Sequence, residues 1–140
     1  MGVLIGFIHG GGCHQKFGIV YVPYASIEVQ HINGEWNKYV FEVDGGADIT
    51  VMRYQHRKDL GIKIGLQARK ETLKGVGGRE DEYHIQPVNM GFGKKVITNI
   101  PVGFAPKKTF MPLLGRLEIF NKFGIYFNPW NRHTVFPDRP

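Results

Sequence analysis

A chain of 140 residues with a net charge of +6 is long enough for one sizeable core and too short to divide comfortably into two. Hydrophobic residues make up 42% and charged residues 21%, which excludes a disordered chain, and a single cysteine excludes an internal disulfide. Nineteen glycines and eight prolines argue against a helical bundle and for short strands joined by tight turns.

Residues 1–24 are glycine-rich with apolar segments at Val3–Ile8 and Phe17–Val22, and they are expected to form a leading hairpin or an arm. The start, "MGVLIGFIHGGG", has no basic leader, and its apolar run is too short to span a bilayer. Gly6 stands where a myristoylation pattern wants Ser or Thr. The expectation is a soluble cytoplasmic protein. His9, Cys13 and His14 supply metal-binding residue types, but neither their spacing nor a fourth ligand matches a zinc framework. No metal is expected.

Ile27–Ile32 and Trp36–Val43 read as strands around Asn33-Gly34, a pair that tolerates the positive φ of a two-residue type I′ hairpin turn. The second strand runs straight into "DGGADIT", Asp44 to Thr50. A short helix is then predicted from about Arg53 to Leu60, closed by Gly61 in the left-handed region. Gln67–Lys74 and Glu82–Val88 form a hairpin around the glycine tip Gly75–Gly78, where missing side chains add backbone freedom. "NMGFGKK" marks a turn before a strand over Val96–Val102. "PLLGRLEIF" gives an apolar strand end, a glycine turn at Gly115 and a short helix over about Leu117–Lys122. Ile125–Phe127 and His133–Phe136 are terminal strands.

An Asp-Gly pair alone is an ordinary turn former. Here the ordered set "VDGGADIT", "KGVGG" and "PLLGRLEIF" resembles the retropepsin-like aspartic proteases, relatives of retroviral protease and pepsin. That family runs a hairpin strand into Asp-Thr/Ser-Gly-Ala, follows it with a Gly-rich flap, and ends on an apolar-apolar-Gly-Arg segment. The likeness covers about residues 26–127, within a domain taken as 25–140. It implies an all-β, closed acid-protease barrel with one or two short helices, assembling as a homodimer.

By the same resemblance, Asp44 would be the catalytic carboxylate, one from each subunit. Gly46 and Ala47 would line the cleft floor, and Asp48 would contact the substrate main chain and pair with Arg116. Thr50 and Gly115 would support the loop. Val76, between Gly75 and Gly77, would present its N–H toward a peptide under the flap. A single triplet in one chain implies dimerisation, because the chemistry needs two carboxylates that share a proton. The substrate would be a peptide or protein, and no metal or organic cofactor is implied.

Gly45 departs from the family pattern, which has Thr or Ser there, with a hydroxyl that bonds to the opposing loop. Glycine removes those bonds, each worth about 0.5–1.5 kcal/mol. An alternative reading therefore keeps the fold and the dimer as a weak or inactive peptide-binding module. A third, a basic nucleic-acid-binding barrel, rests only on charge and aromatics. The basic pairs Lys94-Lys95 and Lys107-Lys108 are scattered and read as solvated surface, so no nucleic-acid partner is expected.

Overall fold

The computed structural model describes residues 4–8, 10–63, 69–74, 80–105, 111–128, 130 and 132–137. In chain order the strands are β1 (Leu4–Ile8), β2 (Gly10–His14), β3 (Gly18–Val22), β4 (Tyr24–Gln30), β5 (Trp36–Val43) and β6 (Thr50–Arg53). The helix α1 (Tyr54–Asp59) precedes β7 (Arg69–Lys74), β8 (Glu80–Phe92) and β9 (Lys95–Ala105). The chain closes with β10 (Leu113–Leu114), β11 (Tyr126–Asn128) and β12 (His133–Pro137).

Six strands close on themselves. Neighbours run β4-β5-β10-β6-β9-β8, and β8 returns to β4 through Glu28 opposite Gly91 and Val29 opposite Met90. Closure leaves no open edge within the ring. β7 hangs outside it as the outer strand of a hairpin with β8. The expected acid-protease architecture of a closed, nearly all-β barrel is what is observed.

The core follows from period-two patterning. Ala25, Ile27 and Val29 on β4 point inward and are fully buried, while their neighbours are partly exposed. Phe41, Met52, Met90, Ile100, Phe104 and Leu114 meet them from the other strands. At one end, the rings of Phe92, Phe123 and Phe136 stand 5.0–6.1 Å apart, which joins the end of β8 to the C-terminal strand.

Three local expectations change. Asn33-Gly34 does not make a two-residue turn: only Gly34 has positive φ, at 96°, and the loop closes from His31 N–H to Glu35 O at 2.7 Å. That is a three-residue hairpin loop ending in a left-handed glycine. Its geometry answers to packing, since the Ile32 N–H donates to Leu60 O at 3.0 Å. The helix predicted over 117–122 is instead a run of turns, because Glu118 at φ 64° cannot continue an α-helix. In the leading segment, β2 and β3 pair as a two-stranded hairpin, while β1 pairs with β12. β8 also runs past Val88 to Phe92 through an irregularity between Val88 and Met90, so its turn shrinks to Gly93-Lys94.

The short helix behaves as predicted. Ile62 N–H donates to Arg57 O and Gly61 N–H to Lys58 O, both at 2.9 Å, with Gly61 at φ 71°. This is a Schellman closure. A Cβ on Gly61 would also come within 2.6 Å of the His31 ring, so two independent demands select glycine. No helix among the described residues is long and apolar enough to cross a membrane.

On α1, His56 packs against Tyr39 with ring centroids 4.9 Å apart, and its buried Nδ1 has no hydrogen-bond partner. Burial pushes His56 below the ordinary value of 6.5; the Asp59 charge opposes this and the Arg53 charge adds to it. The folded chain therefore holds the neutral ring, and its contribution is present above about pH 6.5. It is lost as pH falls through the lowered folded value. Thermal unfolding followed at pH 7.5 and pH 5 is expected to show a smaller loss of stability on acidification for His56→Gln than for the parent chain. An equal or larger loss would contradict this account.

Candidate active site

Asp44 is presented by the backbone around it. Approaching it, Glu42 N–H donates to Pro112 O at 2.8 Å and Val43 N–H to Pro23 O at 2.8 Å. Asp44 N–H then donates to Leu114 O at 3.0 Å. The short β10 thus lies parallel to the end of β5 and, on its other side, antiparallel to β6. Beyond Asp44 the chain turns at once. Gly46 N–H donates to Asp44 Oδ1 at 2.8 Å, and Ala47 N–H to Asp44 O at 3.2 Å. The first of these is an Asx turn, which fixes the carboxylate plane relative to its own loop.

The two neighbouring glycines differ. A Cβ on Gly46 would sit 3.2 Å from Asp44 Oδ1, close enough to press on the carboxylate. A Cβ on Gly45 would meet only Phe120 Cε2 at 3.7 Å, ordinary contact, and Gly45 is not among the positive-φ glycines. Nothing in the loop's conformation requires glycine at position 45.

Behind the loop, Gly115 donates its N–H to the buried Thr50 Oγ1 at 3.1 Å. A Cβ here would overlap the Ile49 carbonyl and lie 2.7 Å from Thr50 N. Only glycine permits that approach. Two further bonds tie the same segments: Arg116 N–H to Ala47 O at 3.0 Å and Leu117 N–H to Asp48 O at 2.9 Å. The Arg116 guanidinium Nη2 also pairs with Asp48 Oδ1 in the same chain, between side chains that are 52% and 82% exposed. That pair is worth under about 1 kcal/mol.

A family model described as "gag-polyprotein putative aspartyl protease" matches residues 28–117. The chain belongs to this aspartic protease family. No curated protein matches it. Among solved structures, a retropepsin-like aspartic protease from Rickettsia conorii superposes with a TM-score of 0.65 at 14% identity, covering 99% of this chain and 94% of that one. EIAV protease, complexed with the inhibitor HBY-793, superposes with a TM-score of 0.51 at 23% identity over 71% of this chain and 86% of its own. Both share the retropepsin-like fold.

In this aspartic protease chain the structure brings Asp44, Gly45, Gly46, Ala47, Asp48, Thr50, Gly115 and Arg116 into one loop cluster. Gly75, Val76 and Gly77 lie outside the described residues, as does the basic pair Lys107-Lys108. The legs of that hairpin are described: Lys74 stands opposite Glu80, leaving residues 75–79 to connect them. At its root, Ile49, Tyr83 and Ile85 converge on Gly103, where a Cβ would meet their side chains at 3.2, 3.4 and 3.5 Å. This apolar wall joins the loop after Asp48 to the base of the hairpin. Burial, with Asp81 adding, raises the Tyr83 hydroxyl above its ordinary value.

Sequence reasoning missed Phe120 beneath Gly45, the carbonyls of Pro23 and Leu114, and the Ile49–Tyr83–Ile85 wall. The carbonyls carry no residue-type signal at all. The expected ranking of loop variants follows from the contacts. Gly115→Ala should cost at least about 1–3 kcal/mol in denaturant unfolding, because backbone must move. Asp48→Asn should cost under about 1 kcal/mol. The reverse order would show that the exposed ion pair, rather than the close approach, holds the loop.

Proposed function

We propose that two copies of this chain form an aspartic endopeptidase in which the Asp44 carboxylates, one per subunit, flank the attacking water. One carboxylate takes a proton from water as its oxygen adds to the scissile carbonyl carbon, and the other donates a proton to the carbonyl oxygen. Collapse of the tetrahedral adduct breaks the C–N bond as the leaving nitrogen is protonated, with no covalent enzyme intermediate. The observation that carries this reading is Asp44 itself, held by backbone at the end of a barrel strand and oriented by an Asx turn.

Charge and size then assign the rest. Gly46 and Ala47 keep side chains out of the floor, so an extended peptide backbone can approach. Asp48 accepts from its main chain while Arg116 neutralises it. The peptide lies as an added strand under the hairpin tip, where Gly75 and Gly77 let Val76 close over it. Main-chain bonds supply affinity, and the Ile49–Tyr83–Ile85 wall favours apolar side chains.

Gly45 is the specific observation for a second reading, a dimeric peptide-binding module with little or no hydrolysis. Because the loop accepts a Cβ at this position, restoring the hydroxyl is a fair test. Peptide cleavage between about pH 4 and 6, at high protein concentration, should be abolished by Asp44→Asn. Gly45→Thr should raise the rate at low protein concentration by about tenfold or more, the equivalent of about 1.4 kcal/mol in subunit pairing. A Gly45→Thr protein that is dimeric yet inert toward a peptide library would leave the binding module as the function.

A further inference from the structure

A cleft of about 630 Å³ lies away from the Asp44 loop, within the size range of ligand pockets. Its polar lining is Gln30, His31, Lys63, Gln86, Asn89 and Asn99. None of the residues placed around Asp44 is among its described lining residues. The course of β4 explains the separation. The strand spans 7 residues from Tyr24, which stands opposite Glu42, to Gln30, a rise of about 20 Å.

The amides of this cleft are held in place by the chain itself. Asn89 Nδ2 donates to Gln30 Oε1 at 3.0 Å, and Gln30 Nε2 donates to Gly34 O at 3.1 Å. Asn89 Oδ1 accepts the Asn99 N–H at 3.1 Å. That bond bridges the irregularity between Val88 and Met90, where Asn99 takes the left-handed region at φ 57°. A non-glycine residue held there within a strand pair is a conformation that its surroundings enforce. A side-chain amide has two N–H donors and two lone pairs, and these bonds use one of each on both Gln30 and Asn89. A second donor and a second acceptor remain on each, oriented in advance by the first. His31 Nδ1 accepts the Asn33 N–H at 2.9 Å, so the neutral ring carries its proton on Nε2, beside Gly61.

We propose that this cleft is a second peptide-binding site, taking an extended acidic segment of another protein. The proposal does not depend on the reaction at Asp44. A donor beside an acceptor on a fixed amide is the complement of a peptide group, which presents the same pair. The apolar wall supplies seats for side chains: Ile32 is 69% exposed, and Ile62 and Val88 line the cleft with it. An extended segment turns alternate side chains to opposite sides, so one row meets this wall while the main chain meets the amides. Charge selects the acid. Lys63 carries a full positive charge, and no Asp or Glu is among the described lining residues to oppose it. No Phe, Tyr or Trp is among them either, so the cleft lacks the aromatic faces on which single-stranded nucleic acid stacks.

The test is fluorescence anisotropy on the full chain carrying Asp44→Asn, so that no peptide is cut, at about 0.15 M salt. The probe is a dye-labelled octapeptide of alternating valine and aspartate, with its valine–lysine counterpart as control. The expected result is saturable binding of the acidic peptide, at least about tenfold tighter than the basic one. Lys63→Glu and Ile32→Asp, both at exposed positions, should each weaken it by about tenfold. Lys94→Glu, on the β8–β9 turn, should leave it unchanged. An equal loss from Lys94→Glu would reduce the effect to general attraction by a basic protein and overturns the site. Backbone amide shifts in NMR then locate the peptide. Changes at residues 30–34, 61–63 and 86–89 support the cleft, whereas changes confined to residues 44–48 assign the peptide to the Asp44 loop and refute a second site. Tighter binding of an oligothymidylate at the same residues overturns the peptide class, and no saturable binding of the acidic peptide overturns the proposal outright.

Discussion

The geometry of the Asp44 loop depends on one close approach, the backbone of Gly115 against Ile49 and Thr50. Because no side chain intervenes, β10 can slip between β5 and β6 and offer its carbonyls to the end of β5. The Leu114 carbonyl then takes the Asp44 N–H, and the Thr50 hydroxyl takes the Gly115 N–H in a fully buried setting. Buried polar groups that find partners are strong determinants of a unique arrangement, since leaving either one unpaired costs about 1–3 kcal/mol. Removing that approach would displace the loop as a unit rather than loosen one residue.

This arrangement explains why the exposed Asp48–Arg116 pair need not carry the structure. The same two segments are already joined by Arg116 N–H to Ala47 O and Leu117 N–H to Asp48 O. Those bonds belong to backbone and survive changes of salt and pH that would screen or neutralise the side chains. The ion pair is therefore available for another use, such as receiving a peptide main chain, without undoing the loop. The run of turns from Arg116 to Lys122 serves the same end. Its first N–H groups go outward to the Asp44 loop, and Glu118 at φ 64° redirects the chain so that Ile119 and Phe123 reach the core.

Most of the barrel was legible because period-two burial and glycine punctuation survive in the sequence: β4, β5, β9 and α1 with its Gly61 closure fall close to where patterning puts them. The loop cluster was legible through the resemblance, which rests on residues whose identity matters, such as Asp44, Gly115 and Arg116. What stayed hidden was set by partners distant in sequence. The Asn33-Gly34 turn bends to the demand of Leu60 O, and the 117–122 segment loses its helix at Glu118, whose φ of 64° redirects the chain. The pairing of β1 with β12 spans nearly the whole chain, and no local pattern announces it. Backbone carbonyls at Pro23 and Leu114 are equally silent, because any residue supplies one.

On the dimeric reading, losing the hydroxyl at both copies of position 45 removes two hydrogen bonds, and glycine adds unfolded-loop freedom twice, for about 2–5 kcal/mol per dimer. That loss would fall on the link between subunits and not on the loop itself. Within one chain, Asp44 is still held by the Leu114 carbonyl and by its own Asx turn, and both depend on the Gly115 approach. Glycine at position 45 would therefore weaken the setting of one carboxylate against the other while leaving each carboxylate fixed within its own chain.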